Sequence, residues 1–278
     1  MEKINIREIF KEKNPTVAKL LPGFIYRYIE RTVHQKDIND ALPVLGDKMG
    51  LDFVNAIIDL FKVRIVVKGE ENIPKEGRFI FAANHPLGGL DGLVFAKVVG
   101  EKHPSLQFLV NDILMNLKNL EPIFAPVNKH GKQSVQYVKR IEEIYKSDVQ
   151  VLNFPAGMCS RKIDGKITDL EWMKSFVAKA VQHKRDVVPV FIDGKNSTFF
   201  YNLSNIRTRL GVKANLEMFY LPDEMFKQKG KTITLTFGKP IPYSIFNKSF
   251  SPTEWAQKVK KHVYKLTNDQ NREFNKLG

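Results

Sequence analysis

The stretch RFIFAANHPLGGLDG spans residues 78–92, and its reading decides the fold. An apolar β-type run ends in Asn84 and His85. Pro86, Gly88 and Gly89 then break the chain, and Asp91 opens a helix-like segment from Gly92 to Val99. Strand, turn and helix in that order belong to α/β sheets, whose functional groups stand at the ends of the strands. Gly88 and Gly89 give the backbone the freedom to turn tightly. Asp91 is then near enough along the chain to accept a hydrogen bond from the His85 imidazole, fixing its tautomer and raising the basicity of the other nitrogen. The segment carries no Ser, Thr or Cys to activate. A histidine and an aspartate placed so are suited to deprotonating a hydroxyl that the substrate supplies. The competing reading is a turn with a structural histidine.

Outward from this stretch the texture is regular. Residues 63–69, 106–111, 122–127, 149–155, 186–193, 216–221 and 232–238 are short β-rich runs. Between several of them lie helical patterns at 92–99, 133–145, 169–182 and 203–210. Residues 1–62 read as helices. GFIYRYIERTVH gathers Phe24, Ile25, Tyr28 and Ile29 on one face with Arg27 and Arg31 among them, and LDFVNAIIDLF gathers Val54, Ile57, Ile58 and Phe61. These helices suit packing on a core or, for the first, a membrane interface. Residues 252–276 read as a last, strongly basic amphipathic helix. Its Val259, Val263 and Leu266 share one face with lysines elsewhere, the pattern of an interfacial helix. The expected organisation is a helical segment over 1–62 and an α/β domain over 63–278.

Composition narrows the classes. With 278 residues, 43% of them apolar, the chain can bury a sizeable core. Its formal charge is +14, and from Lys195 onward fifteen Lys and Arg face six Asp and Glu, so +9 of that excess lies in the last third. Such asymmetry predicts an anionic partner: nucleic acid, an anionic membrane or an acidic protein. One cysteine, Cys159, excludes an internal disulfide and fits a reducing compartment. The charged start lacks a signal-peptide core, and the uncharged run 79–90 is too short and too rich in Pro and Gly to span a bilayer. The expectation is a cytoplasmic protein, peripheral on the inner face of the cytoplasmic membrane. G-x-S-x-G, G-x-G-x-x-G, Walker A and H-E-x-x-H patterns are absent, and the six histidines show no metal-ligand spacing.

Four ordered blocks make the chain recognisable: NHPLGGLD (84–91), EPIFAPVNKHGKQS (121–134), FPAGMCSRK (154–162) and VVPVFI (187–192). Together they resemble the glycerolipid acyltransferase family, the lysophosphatidate acyltransferase or PlsC-like superfamily. The first block stands for the family's His–Asp block, the third for its Phe-Pro-Glu-Gly block and the fourth for its Val-Pro-Val strand. The family's usual spacing is His-x4-Asp, whereas five residues intervene here. That form is similar to the hemolysin-like branch, associated with O-acylation of lyso-aminolipids of the ornithine- or glycine-lipid type. Ala156 replaces the family's Glu, and Asn128 and Lys129 stand where an Arg is usual. Both changes favour a head group other than glycerol phosphate.

The resemblance implies a central mixed sheet flanked by helices. It implies an O-acyltransferase in which His85 takes the proton of a lyso-lipid hydroxyl and Asp91 steadies the imidazolium. The alkoxide attacks an acyl thioester of acyl carrier protein or coenzyme A, with no cofactor or metal. Asn128, Lys129, Arg161 and Lys162 are the candidate anion-binding residues of the acceptor site. Gly157 is a candidate oxyanion donor through backbone N–H groups, and Asn84 a candidate oxyanion or structural residue. Cys159 has no histidine near it in sequence, and its block is explained without a nucleophile. The basic last third has two roles to choose between, an anionic leaflet or an acidic acyl carrier protein. Two other classes compete. A basic nucleic-acid- or membrane-binding protein lacks a recognisable motif and leaves the apolar strand ending in His-Pro unexplained. A membrane-damaging protein fits poorly with the missing secretion signal and spanning segment.

Overall fold

The computed structural model describes residues 3–13, 15–111, 114, 115, 117–127 and 134–275. Its centre is a seven-stranded sheet built from β1 (Arg64–Lys68), β2 (Phe79–Ala83), β3 (Leu106–Val110), β4 (Phe124–Pro126), β5 (Gln150–Asn153), β8 (Asp186–Asp193) and β9 (Thr232–Phe237). The order is β1-β9-β8-β2-β5-β3-β4. Strands β8, β2, β5, β3 and β4 run parallel; β9 is antiparallel to β8 and parallel to β1. The sheet is therefore mixed, as the resemblance implies. A separate hairpin, β6 (Arg161–Ile163) with β7 (Lys166–Thr168), hangs beside it.

Strand β2 lies at the centre because all five of its side chains are apolar and buried. A parallel strand covered on both faces has no polar side to show. Its Phe79, Phe81 and Ala83 point into one core cluster and Ile80 and Ala82 into the other. Burying Phe81 fully contributes on the order of 1.5–3 kcal/mol. The first cluster is closed by α5 (Gly50–Phe61) and α6 (Leu90–Lys102), the second by α7 (Ser134–Lys146), α8 (Ser175–His183) and α11 (Pro252–Lys265). Helix α6 is buried almost all round. Gly100 belongs to that packing, because a Cβ there would come within 2.8 Å of Leu51.

The N-terminal helices are α1 (Ile6–Lys13), α2 (Pro15–Leu20), α3 (Gly23–Thr32), α4 (Gln35–Leu45) and α5. Ala41 and Leu45 of α4 and Val54, Ile58 and Phe61 of α5 join the first core cluster, so this helical segment shares its core with the sheet. In α3 the buried aromatic is Tyr26, while Phe24 and Tyr28 face outward. The remaining helices are α9 (Thr198–Arg209) and α10 (Leu221–Phe226).

Three sequence expectations are corrected. Residues 216–221 form no strand: Leu216–Tyr220 is a 3-10 turn running into α10. Pro222 suits the start of a helix, and Glu217 is buried against two arginines. The helix expected from 169 begins at Ser175, because Asp169 and Trp172 are drawn into the interior as a side-chain network. The apolar face of the C-terminal helix does not lie free for a membrane. Val259, Val263 and Leu266 are buried on the sheet, and a Ser251–Glu254 capping box fixes the helix start.

Candidate active site

The β2 strand delivers His85 to the carboxyl edge of the sheet, and α6 delivers Asp91. Asn84 ties this exit to β8: its amide Nδ2 donates to Ile192 O at 2.9 Å, and its Oδ1 accepts from Ile192 N at 2.7 Å. Both halves of the Asn84 amide are thus engaged as a rung continuing the sheet. Beyond it the chain bends over 86–89, with Gly88 at φ +81°. A Cβ there would meet Leu221 at 2.7 Å and Cys159 at 3.3 Å, so the position calls for glycine on both counts. The five-residue gap closes through this bend.

His85 Nδ1 lies 2.9 Å from Asp91 Oδ2. Asp91 is fully buried and accepts every contact it makes: Oδ2 from the N–H of Leu87 at 2.8 Å and Gly88 at 3.3 Å, Oδ1 from Gly89 at 3.1 Å and Gly92 at 2.9 Å. Burial works against its charge, but the His85 imidazole and these backbone donors win and hold its carboxyl below the usual carboxylate range. A site in the first turn of α6 adds the favourable end of the helix dipole. An ionised carboxylate can only accept, so Nδ1 carries a proton toward it, and in the neutral imidazole Nε2 is then the acceptor. Nε2 makes no hydrogen bond to another described residue, and the side chain is 16% exposed. The ring stacks on Phe154, centroids 4.0 Å apart and planes within 15°, which fixes its tilt.

A second buried carboxylate, absent from the sequence reading, holds the backbone of the same histidine. Asp169 Oδ1 accepts from His85 N at 3.2 Å and from Ser160 Oγ at 2.6 Å, and Oδ2 accepts from Trp172 Nε1 at 2.8 Å. Ser160 N donates to His85 O at 2.7 Å. From the other side Tyr264 Oη accepts the Asp169 N–H at 2.8 Å, and Lys260 Nζ donates to the carbonyls of Asp169 and Leu170. Burial pushes the Asp169 carboxyl up, and its neutral donors only partly offset that.

The other candidates lie elsewhere. Arg161 is not turned outward to an anion: it is buried, with Nη2 2.8 Å from Glu217 Oε1 and Nη1 donating to Cys159 O at 2.6 Å. Arg207 grips the same Glu217 carboxylate. Lys162, its neighbour on β6, is exposed. The Gly157 N–H, expected as an oxyanion donor, is engaged by Phe154 O at 2.9 Å in a turn with Gly157 at φ +67°. Burial pushes the Cys159 thiol up to about 11, which leaves it protonated and a poor nucleophile. Asn128 and Lys129 lie outside the described residues. The strand before them, β4, is the sheet edge, separated from β2 by β5 and β3. Among the described residues no helix is long and apolar enough to cross a membrane.

This geometry can be set beside known proteins. Two relatives are named lyso-glycine lipid O-acyltransferase. The one from Bacteroides thetaiotaomicron is 48% identical over 264 residues, covering 95% of this chain and 97% of that protein. The one from Phocaeicola vulgatus is 46% identical, covering 95% of each. A solved structure, the 1-acyl-sn-glycerophosphate (LPA) acyltransferase PlsC from Thermotoga maritima, is 19% identical with a TM-score of 0.48, covering 79% of this chain and 83% of that one. The sequence profile of a family described as Acyltransferase matches residues 8–272, nearly the whole length. On that match and those identities, the chain belongs to the acyltransferase family, and it is an O-acyltransferase.

Proposed function

We propose that this enzyme transfers a fatty acyl group from an acyl thioester, of coenzyme A or acyl carrier protein, to the hydroxyl of a lyso-glycine lipid. The acceptor comes from the names of the two relatives. The chemistry rests on one observation: an imidazole whose Nδ1 is held 2.9 Å from a buried carboxylate while Nε2 makes no hydrogen bond to another described residue. His85 Nε2 takes the proton of the acceptor hydroxyl. The alkoxide oxygen bonds to the thioester carbonyl carbon, the tetrahedral adduct collapses, and the C–S bond breaks. The departing thiolate recovers the proton from the imidazolium, so no proton is gained or lost. Asp91 stabilises the imidazolium between these transfers.

The same reading puts the protein on a membrane surface, where its acceptor resides. Its support is an apolar patch that the core leaves out. Phe24 and Tyr28 of α3, Phe199 and Ile206 of α9 and Leu210 just after it are all exposed, as is Phe219 in the turn before α10. Tyr28 Oη lies 2.6 Å from Tyr220 Oη, and the Phe199 and Tyr220 rings are 4.9 Å apart, so the two regions meet. Exposed Arg27, Arg31, Arg209 and Lys213 border this patch in sequence. Aromatic and aliphatic side chains among cations suit an anionic leaflet.

The test is acyl transfer to purified lyso-glycine lipid, followed by thiol release, in wild type and His85→Ala. A positioned general base gives about 10²–10⁴-fold, so His85→Ala should lose at least ~100-fold in kcat. Near-normal turnover in the variant would overturn the His85 role.

A further inference from the structure

Outside the His85–Asp91 pair, and linked to its bend through the packing of Gly194 on Leu87, lies a cavity of about 430 Å³ with four lysines in its wall. Lys162 enters it from the β6–β7 hairpin, Lys195 from the end of β8, and Lys227 and Lys231 from the segment between α10 and β9. Lys227 is bridged to Asp223 and Glu224. Lys162, Lys195 and Lys231 are exposed and form no ion pair among the described residues. One carboxylate, Glu224, stands in the wall against these four ammonium groups, and it is buried on Ser197 and Lys227. Like charges gathered round one concavity repel each other and focus a positive potential in it.

A second observation points the same way. Asn196 lines the cavity and is 96% buried, at 4% exposure, yet neither its side-chain oxygen nor its nitrogen has a hydrogen-bond partner. A buried amide left so is costly, and a group of this kind in a native wall calls for an explanation. A polar ligand reaching this wall would supply one.

The cavity is also placed for the reaction. Strand β8 runs parallel beside β2, so Lys195 leaves the sheet at the same edge as His85. Gly194, next to Lys195, packs its backbone so closely on Leu87 of the bend that a Cβ would come within 3.0 Å. Tyr201, in the wall, accepts the Asn196 N–H at 3.0 Å and packs in one cluster with Cys159, which itself abuts Gly88.

We propose that this cavity binds the phosphate-bearing part of the acyl-thioester donor. The proposal rests on the acyl-transfer reading above and names the donor subsite of that reaction. Charge and size choose the donor over the acceptor. A glycine head group offers one carboxylate of a few atoms, whereas the cavity carries a net excess of three positive charges and lies in the size range of small-molecule sites. Coenzyme A and the phosphopantetheine arm of a carrier protein share the phosphate on a pantetheine thioester. Lysine ammonium groups bind phosphate as point charges.

The test uses the full chain, with coenzyme A as the probe in calorimetry at low salt. Wild type and His85→Ala should both bind it, and Lys195→Ala/Lys231→Ala should weaken binding at least about tenfold, with Lys195→Glu/Lys231→Glu weaker still. These side chains are exposed, so thermal melting should confirm an unchanged fold. In turnover the alanine pair should raise the KM for acyl-coenzyme A or for acyl carrier protein, whichever the enzyme uses, and leave the lyso-lipid KM where it is. A rise in the lyso-lipid KM instead, or no change with either donor and no binding of coenzyme A by wild type, overturns the proposal. Calorimetry needs no catalysis, so a failed His85 role leaves this result readable.

Discussion

Asp91 meets the ring of His85 and Asp169 meets its backbone, and the two buried carboxylates are equipped in opposite ways. Asp91 has the imidazole and four backbone N–H groups aimed at it, enough to keep it ionised. Asp169 has an indole, a serine hydroxyl and one N–H, all neutral, and burial raises its carboxyl. In the proposed mechanism Asp91 answers a charge that appears on the imidazole, and such a carboxylate is preorganised as an anion. One that only holds a strand end in place works without that investment. Equal burial therefore does not mean equal electrostatics, and the donors around each group tell them apart.

Substitutions separate the two directly. Asp91→Asn keeps the volume but removes the anion opposite Nδ1, and kcat should fall about 10²–10⁴-fold. Asp169→Asn should cost about 1–3 kcal/mol of stability, because an amide cannot accept at every position where the carboxylate does. Its kcat should fall less than about tenfold, since no charge develops against the His85 backbone. Equal losses of kcat in the two variants would erase the distinction. Gly88→Ala tests the bend that brings Asp91 round. The left-handed backbone and the approach to Leu221 and Cys159 should together cost about 1–3 kcal/mol in a denaturant titration, with a loss of turnover.

Acid should separate the pair by sign. The folded pKa of Asp91 lies below its unfolded value of about 3.9. Its stabilisation is thus complete above that pH and is lost as pH falls through the folded pKa. The folded pKa of Asp169 is raised, so its penalty is absent below about 3.9 and grows as pH rises towards the folded pKa. The stability deficit of Asp91→Asn relative to wild type should shrink on acidification, while that of Asp169→Asn should widen. Denaturant midpoints between neutral pH and the acid limit of the fold measure both, and slopes of one sign would break the contrast. The smallest effect belongs to Tyr264→Phe, which deprives the Asp169 N–H of its acceptor and should cost about 0.5–1.5 kcal/mol with turnover unchanged.

The His85–Asp91 pair was legible because every cue for it is local: an apolar strand, a proline, two glycines and an acid within a few residues. The alternation of strands and helices was legible for the same reason. What escaped depends on distance along the chain. Asp169 lies 84 residues from the histidine it pins, and no motif surrounds it. Arg161 looked like an anion reader until Glu217, 56 residues on, took its charge. The helix expected over 252–276 ends at Lys265, and its amphipathic pattern does not say whether lipid or protein covers the apolar face. Residues 216–221 are as rich in apolar and aromatic side chains as a strand would be, and the burial of Glu217 against two arginines sets them apart. The lysine cavity joins segments from three parts of the chain, and in sequence it showed only as an excess of positive charge.

Helix α11 gives the fold a temporal order. A chain still in synthesis at residue 250 already contains the whole His85 bend, Asp91 and Asp169. It does not yet contain Lys260 or Tyr264, which fasten the Asp169 segment from outside, nor the Trp255, Val259 and Val263 face that closes the second core cluster. Domains fold as units as they emerge, and this one is finished by its last long helix. The nascent chain therefore lacks the outer fastening of the Asp169 segment, and with it of the backbone at His85, until its last long helix is made.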